Sequence, residues 1–425
     1  MTMYPIIRQA LDQRPGLQKI YANLRKHGRE ADRLGDVPAA LFDGLDVADL
    51  NRNGMAMADG KSAEPAEQAG HAVRKVADLC VVNEVFGHGD PALAIALPGG
   101  SLTLAVIDFA SRAQKDRILA RFDTDRPVWG AFAMTEPTSG TDATRMNTIA
   151  TKVPGGYRLN GEKCFIGNAG RSAYVIVFAT VAPEKGQFGI RPFFIAIPSE
   201  GLQIDDGERM LGLRAVRASR ITLRDCFVAD DDVIGAGTKL DPARSFAYAQ
   251  ASWNSMRPCL GSLIVGATQR VLDDLSDGLD DLDGYGAALR HGAAATLDEF
   301  AGRLYSARLL CRRAATLIDA GQPSLIASSI AKAYASDCAR TCIERVMSLP
   351  GIGEHRSIAD FSRWRRDFHA FNVMEGTGDI HRMMIARDRN RRRAELAPLT
   401  RDASEAVPAS PAAPSVRQPG EPSLA

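Results

Sequence analysis

The sequence lacks the features that mark membrane proteins and nucleic-acid-binding proteins. It has no uninterrupted apolar run of about 18 residues, which predicts that no helix spans a membrane. Its N-terminal segment carries charges throughout and has no apolar stretch of the kind that a secretory signal needs. The 52 Lys and Arg residues balance the 51 Asp and Glu residues, which argues against binding nucleic acids or anionic membranes through bulk charge.

Motifs for metals and nucleotides are missing as well. The seven cysteines contain no Cys-x-x-Cys pair, and the seven histidines contain no pair at helical spacing, so we expect no metal site. The glycines of the stretch Gly54–Ser62 are too far apart for a phosphate-binding P-loop. An odd number of scattered cysteines in apolar segments predicts buried, reduced thiols and a cytoplasmic location.

Hydrophobic periodicity divides the 425 residues into blocks of different secondary structure. Residues 1–125 place apolar side chains at three- and four-residue spacing, which predicts an N-terminal helical domain, with a polar loop at 57–70. Residues 126–238 alternate with period two, which predicts β-strands. We expect turns at Pro154–Gly156 and at Asn160–Gly161 within this block.

The helical period returns after the strands. Residues 239–393 contain long amphipathic stretches, which predict a helical bundle. The remaining residues, 394–425, are rich in Pro, Ala and Ser, and we expect them to form a disordered tail. Helices, strands and again helices in separate blocks predict an α+β fold.

Two segments have the composition of ligand-binding turns. Phe132–Asp142 runs from an extended stretch into a turn crowded with hydroxyls, which offers donors to an electron-rich ligand, although composition alone favours a hydrated turn. Val373–Arg382 places Glu375 at the mouth of a helix, with Thr377 as N-cap and Asp379 in the first turn. From the residues alone, Glu375 is either a functional carboxylate or a solvated loop residue.

Together these segments resemble the acyl-CoA dehydrogenase family of flavoproteins. The resemblance spans residues 15–393 and includes the T-E-P-x-x-G-[ST]-D signature at Thr135–Asp142 and the Glu-Gly-Thr of Glu375–Thr377. The strand Leu159–Asn168 and the segment Met210–Ala215 also follow the family order. The resemblance implies an acyl-CoA dehydrogenase-like fold: an N-terminal helical domain, a middle β-barrel domain and a C-terminal four-helix bundle.

The resemblance also implies the ligands. FAD is expected between barrel and bundle, in a homodimer or homotetramer. The residues that match FAD contacts are Phe132, Met134, Thr135, Gly140, Thr141, Phe165, Ile166, Gly167, Thr377 and Asp379. The residues that match substrate contacts are Thr141, Asn254, Arg257 and Gly376.

The activity implied is dehydrogenation of an acyl thioester at its α,β bond. Glu375 matches the family's catalytic base, which takes the α-proton while flavin N5 accepts the β-hydride. Met256 stands where some members hold the base instead, so Glu375 has no competitor. Arg257 is expected to order the surroundings of the base, and Glu136 to support its loop without taking part in the chemistry. The thioester is carried by CoA or by a carrier protein, and the electron acceptor is an electron-transfer flavoprotein or oxygen.

Five positions depart from the family pattern. Gly167 replaces a Ser or Thr that bonds flavin N5, and Phe165 replaces a Trp. Leu282 and Met347 stand where relatives contact the FAD pyrophosphate across the subunit interface. Asn254 replaces an Asp near the CoA, which together with the others suggests looser FAD retention and a carrier other than CoA.

Two alternatives stay open at this point. Because Gly167 alters access around N5, the same fold could serve a flavin oxidase or monooxygenase. The chain could also be a catalytically silent member that binds a partner or a nucleic acid, for which the basic cluster at Arg387–Arg393 is the conspicuous candidate surface. A helix C-terminus favours such charges anyway, and the intact Glu375 argues for an enzyme.

Overall fold

The first part of the chain is helical. The computed structural model describes residues 4–53, 75–99, 109–239, 241–279 and 286–405. The predicted loop at 57–70 and Leu282 lie outside these ranges. The N-terminal helices are α1 (Pro5–Gln13), α2 (Pro15–Leu34), α3 (Val47–Asn53), α4 (Val76–Gly89), α5 (Pro91–Ala96) and α6 (Arg112–Leu119).

The middle of the chain forms one curled, seven-stranded sheet in the order β1-β4-β2-β3-β7-β6, with β5 paired to β4. Its central strand is β4, in which all residues but one are buried. The β1–β4 pair is parallel, whereas β2–β3, β3–β7, β4–β5 and β6–β7 are antiparallel. The strands are β1 (Trp129–Ala133), β2 (Ile149–Val153), β3 (Gly156–Ile166), β4 (Ser172–Thr180), β5 (Ile190–Ala196), β6 (Leu202–Ile204) and β7 (Ser219–Ala229).

One of the two predicted turns is confirmed and the other is wrong. Pro154 and Gly155 close the β2–β3 hairpin, and Gly155 has the positive φ (76°) that such a turn needs. Asn160 and Gly161 instead lie inside β3, where the register with β7 shifts. Gly161 is required there for close packing, because a Cβ would lie 2.6 Å from Oγ1 of Thr148. Gly161 therefore marks an irregularity within a strand and not a turn.

The last block is helical, so the predicted order of helices, sheet and helices is confirmed. Helix α9 lies at its centre and packs against α7, α8, α10 and α11. Helix α11 continues past the predicted boundary at residue 393 to Glu405, so the first part of the predicted disordered tail is helical. The good helix formers at 394–397 and an i,i+4 ion pair from Arg391 to Glu395 (3.3 Å) favour the helix up to Pro398. The rest of that tail, 406–425, lies outside the described ranges. The C-terminal helices are α7 (Ser245–Asp277), α8 (Gly286–Asp319), α9 (Leu325–Met347), α10 (Ile358–Phe371) and α11 (Gly378–Glu405).

Buried ion pairs fasten the N-terminal helices to this bundle. Arg308 on α8 donates to Glu84 on α4 at 2.7 Å, and Arg363 on α10 donates to Asp90, the N-cap of α5, at 2.5 Å. All four side chains are buried, and a buried charge needs such a partner. The pairs fix α4 on α8 and α5 on α10, the helix that leads into the turn described below.

Three further predictions concern the cysteines, membrane-spanning helices and metal sites. All seven cysteines are buried and free, as expected. Across the described ranges, no helix combines the length and apolar character that a membrane span needs. The same ranges contain no group of three or more His, Cys, Asp or Glu side chains that could hold a metal ion.

Candidate active site

Glu375 lies in the turn between α10 and α11, and its backbone is left-handed. The φ angles of Glu375 and Gly376 are 56° and 95°. This conformation costs a residue with a side chain about 1–2 kcal/mol, so surrounding contacts must maintain it. Gly376 also allows close approach, since a Cβ there would lie 3.1 Å from Nε2 of His381.

Three helices hold the two carbonyl groups of this turn. Nε of Arg257, on α7, donates to the carbonyl oxygen of Glu375 at 3.4 Å. Nε2 of His381, on α11, lies 3.2 Å from the same oxygen. Nζ of Lys332, on α9, donates to the carbonyl oxygen of Gly376 at 2.7 Å. The turn is therefore fixed from three sides, which accounts for its left-handed backbone.

The protonation behaviour of these groups is set by burial. Desolvation raises the pKa of the half-buried Glu375 carboxyl, and the charges of Arg257 and Lys332 oppose the rise. Lys332 is 0% exposed, and burial lowers its pKa to about 8. His381 is also 0% exposed, and burial lowers its pKa to about 4, so it is neutral at pH 7 and donates through Nε2. A carboxyl with a raised pKa is suited to act as a general base near neutral pH.

The start of α11 follows the sequence prediction. The hydroxyl of Thr377 accepts the N–H of Ile380 at 3.3 Å, which confirms Thr377 as the N-cap. Asp379 is exposed in the first turn and pairs with Arg382 at 3.1 Å. The remaining N–H groups of a helix N-terminus favour an anionic ligand.

The loop Thr135–Asp142 is held against β3 by a buried ion pair. Oε1 of Glu136 lies 2.8 Å from Nζ of Lys163, and both side chains are buried. The Glu136 carboxylate also accepts the N–H groups of Asn147 and Thr148, at 2.7 and 2.9 Å. Glu136 therefore has partners for both oxygens and supports the loop, as expected.

Further contacts place this loop beside the end of β3. The N–H of Cys164 donates to the carbonyl of Thr135 at 2.9 Å, and Nζ of Lys163 donates to the carbonyl of Met134 at 3.2 Å. Met134 is buried, and Thr135 is half-buried. The tip of the loop, with Gly140 and Thr141, is exposed and accessible to a ligand.

Phe165 lies in a β-bulge that turns its ring outward. The register of β3 with β7 shifts between Lys163 and Ile166, and the φ angle of Phe165 is 57°. Its side chain is 59% exposed, although Cys164 and Ile166 on either side are buried. Bulges often re-aim a side chain next to an active site, and a positive φ at a Phe is unusual.

The loop and the Glu375 turn are connected through α7. The rings of Phe132 and Trp253 contact edge to face with centroids 5.7 Å apart. Trp253 and Arg257 are four residues apart on α7 and share a face. Oδ1 of Asn254 accepts a hydrogen bond from Nη1 of Arg257 at 2.8 Å, so Asn254 orients the guanidinium that holds Glu375.

The structure thus gathers the predicted residues in two groups. The first comprises Asn254, Arg257, Glu375, Gly376 and Thr377, and the second comprises the signature loop and the strand end that carries Phe165, Ile166 and Gly167. The side chain of Met347 packs against the main hydrophobic core, while Met256, at the alternative base position, is half-buried.

Lys332 and His381 were not singled out by the sequence analysis. Lys332 stands between Ala331 and Ala333, in a run of small residues with Ser328 and Ser336 four residues away on either side. A single charge on an otherwise buried helix face is a signal that could have indicated it, since lysine is almost never fully buried without a partner.

Gly167 faces Val216, and this contact explains the missing hydroxyl. A Cβ at Gly167 would lie 2.9 Å from Cγ1 of Val216, and valine has little χ1 freedom with which to yield. We therefore expect Gly167→Ser to lower the free energy of unfolding by about 1–3 kcal/mol. Adding Val216→Ala should recover part of the loss, which a double-mutant cycle from chemical denaturation measures. Additive losses from the two substitutions would contradict this contact.

Comparison with known proteins identifies the family of the chain. The domain described as "Acyl-CoA dehydrogenase, middle domain" matches residues 131–226. The domain described as "Acyl-CoA dehydrogenase, C-terminal domain" matches residues 245–389. The chain belongs to the acyl-CoA dehydrogenase family. Its homologues are FAD-dependent oxidoreductases, and it is an enzyme of this class.

Relatives in the family cover most of the chain. The probable acyl-CoA dehydrogenase fadE25 of Mycobacterium tuberculosis is 28% identical over 326 residues, which are 76% of this chain and 82% of the relative. The mitochondrial short-chain specific acyl-CoA dehydrogenase of Mus musculus is 29% identical over 283 residues, which are 66% of this chain and 67% of the relative.

Solved structures of low sequence identity share the acyl-CoA dehydrogenase fold. The butyryl-CoA dehydrogenase from Megasphaera elsdenii superposes with a TM-score of 0.75 at 24% identity, covering 91% of this chain and 98% of the other. The prolyl acyl carrier protein oxidase AnaB superposes with a TM-score of 0.72 at 20% identity, covering 91% and 99%. These likenesses establish the fold alone.

Proposed function

We propose that the enzyme oxidises a saturated acyl thioester to its α,β-unsaturated product, with Glu375 as the base and FAD as the hydride acceptor. The observation that carries the proposal is the Glu375 carboxyl, whose pKa is raised by burial in a turn held by Arg257 and Lys332. Membership of the acyl-CoA dehydrogenase family supports this class of reaction in general.

The residues present fit FAD. The outward ring of Phe165 offers an aromatic face to a flat ring system, and the start of α11 at Thr377 offers N–H groups to phosphate. The side chains of Met134 and Ile166 are buried, so they would meet the cofactor through their backbone. The other side chains proposed to hold it are Phe132, Thr135, Thr141 and Asp379, with Gly140 and Gly167 allowing close approach.

FAD, when bound, supplies the acceptor for the hydride from the β-carbon. The task of the chain itself is to remove the α-proton. Such a proton is weakly acidic, so the base must be close, correctly aimed and desolvated. Glu375 meets the last of these conditions, because its carboxyl is partly desolvated, and the turn that carries it is fixed by Arg257 and Lys332.

Two carriers of the acyl group remain within the proposal. CoA is the carrier in the names of the relatives, whereas one structural neighbour is described as an acyl carrier protein oxidase. Asn254 supports a carrier protein, because it stands where the family pattern has an Asp near the CoA and it bonds Arg257 of the same helix. For assembly we propose a homodimer or homotetramer, since Tyr305 and Leu309 form an exposed apolar pair one turn apart on α8.

A flavin oxidase is the second candidate. The observation that favours it is Gly167, which carries no hydroxyl and whose neighbouring space is filled by Val216. Oxygen would then replace an electron-transfer flavoprotein as the acceptor.

One experiment tests both candidates. The FAD-saturated enzyme is mixed anaerobically with saturated acyl thioesters, each on CoA and on phosphopantetheinylated carrier protein, and flavin absorbance is followed. We expect at least one thioester to bleach the flavin, and the more effective carrier identifies the substrate class. Oxygen is then admitted: slow reoxidation indicates a dehydrogenase, and rapid reoxidation an oxidase. Failure of every thioester to bleach a flavin that dithionite can reduce would contradict the proposed function.

A further inference from the structure

Lys332 buries an ammonium group within the helical bundle. Its side chain is 0% exposed on α9, and its Nζ donates to the carbonyl oxygen of Gly376 at 2.7 Å. A buried lysine usually needs an anionic partner, because removing its charge from water is costly. A single carbonyl hydrogen bond does not compensate for that cost.

The carboxylate whose charge acts on Lys332 is that of Glu375. Among the described groups, Glu375 is the one whose charge favours protonated Lys332, while Arg257 disfavours it. His381 also faces the turn from α11, but burial keeps it neutral at pH 7. The other charged groups near the turn pair with one another: Arg382 lies 3.1 Å from Asp379 and 3.8 Å from Asp337.

We propose that Lys332 is a positioning residue of the base: its ammonium holds the Gly376 carbonyl, so that the left-handed turn presents the Glu375 carboxyl, and its charge favours the ionised carboxylate. The proposal rests on the proposed function in taking Glu375 as the base. Lys332 bonds to the backbone beside the base, and acts on the reaction only through Glu375.

The geometry separates these two effects. The hydrogen bond acts on the carbonyl that follows Glu375, and so on the φ and ψ angles that aim its side chain. The charge acts through space on the carboxyl itself and favours its ionised form, which lowers the pKa of Glu375. Removing the charge should therefore raise the pH at which Glu375 ionises.

Ser336 provides the matched control. It lies one turn after Lys332 on the same face of α9, and its hydroxyl donates to the carbonyl of Phe371 at 3.2 Å. Ser336→Ala removes a comparable tie between α9 and the segment before the turn, but it removes no charge.

The test compares Lys332→Met, Lys332→Gln and Ser336→Ala. The ionisation of Glu375 is followed by infrared difference spectroscopy against pH, with its carboxyl band assigned by loss in Glu375→Gln. This readout needs no turnover. We expect the midpoint to rise by about one pH unit or more in both Lys332 variants, and to stay in place in Ser336→Ala. The rate of flavin reduction by an active thioester falls at low pH, and the midpoint of this fall (the acid limb) should shift together with the midpoint of Glu375 ionisation.

Lys332→Gln keeps a hydrogen-bond donor, so it reports the effect of charge if Lys332→Met fails to fold. An unchanged or lowered midpoint in the folded Lys332 variants, with only the thermal unfolding temperature reduced, would show a merely structural lysine and overturn the proposal. Failure of the proposed function is distinguishable from this outcome. In that case none of the thioesters would reduce the flavin of the parent enzyme, whatever the carboxyl titration shows.

Discussion

Glu375→Gln is expected to slow flavin reduction by an acyl thioester by about 100- to 10,000-fold, the range lost when a positioned general base is removed. Glutamine keeps the size and shape of the side chain but cannot accept the α-proton. The variant should still fold and bind FAD and thioester, because the carbonyl groups of Glu375 and Gly376 accept the hydrogen bonds that hold the turn. Its stability should fall, since buried Lys332 loses the carboxylate charge beside it. Stopped-flow reduction of the FAD-saturated variant measures the loss.

Two further variants sharpen this test. Glu375→Asp should fall between parent and glutamine, since shortening by one methylene withdraws the carboxylate about 1 Å from its reacting position. Glu354→Gln alters an exposed glutamate in the turn before α10 and should leave the rate unchanged. Reduction of Glu375→Gln at the parental rate would show that another group takes the proton.

The pH dependence follows from the same carboxyl. The base must be ionised to work, and burial raises the pKa of Glu375 above that of an ordinary glutamate. The rate of flavin reduction should therefore rise with pH through this raised pKa, and be lost as the pH falls below it. The acid limb should be absent from the residual rate of Glu375→Gln.

The second large effect is on stability. Glu136→Gln is expected to lower the free energy of unfolding by about 3–5 kcal/mol, because it leaves the buried ammonium of Lys163 without its carboxylate. Nζ of Lys163 lies 2.8 Å from Oε1 of Glu136, and both are buried. Chemical denaturation at fixed FAD concentration measures the loss, while the reduction rate of the FAD-saturated variant should change little.

Glu162→Gln is the matched control, one residue before Lys163. Glu162 is exposed and lies 3.6 Å from Arg220, and surface pairs of this kind contribute about 0–1 kcal/mol. Equal losses for Glu136→Gln and Glu162→Gln would contradict the assignment of the buried pair.

Raising the pH should partly rescue Glu136→Gln. Burial already lowers the pKa of Lys163 to about 8, and Glu136 opposes this fall, so losing Glu136 lowers that pKa further. In the variant, the pKa of Lys163 is lower in the folded state than in the unfolded state. At a pH between these two values the unfolded chain binds more protons than the folded one, so the stability of the variant rises with pH. The deficit relative to the parent should therefore narrow as the pH approaches about 8 and Lys163 loses its proton in the folded state.

Local rules of sequence predicted one part of the site, and distant contacts determine the other. Thr377 as an N-cap depends only on its immediate neighbours, and the structure confirms it. The left-handed turn at Glu375 depends on Arg257, which lies 118 residues before its acceptor, and on Lys332, which lies 44 residues before its own. No pattern within the turn specifies those partners.

Contacts between distant residues also determine local structure within the sheet. An Asn-Gly pair commonly forms a hairpin turn, yet Asn160 and Gly161 lie within β3. Gly161 is needed there because Thr148 of the neighbouring segment approaches it closely, a contact that only the folded sheet reveals. The outward ring of Phe165 likewise depends on a register shift against β7 that periodicity does not encode.

The contact between Gly167 and Val216 also restricts how the sequence can have evolved. A chain with a hydroxyl at position 167 can lose it in one step, and a valine at 216 can then fill the vacated space. The reverse step is destabilising, because a Cβ at position 167 meets Cγ1 of Val216 at 2.9 Å until that valine has been replaced. Homologues with Ser or Thr at position 167 should therefore carry a small residue at position 216, so that the two positions covary across the family.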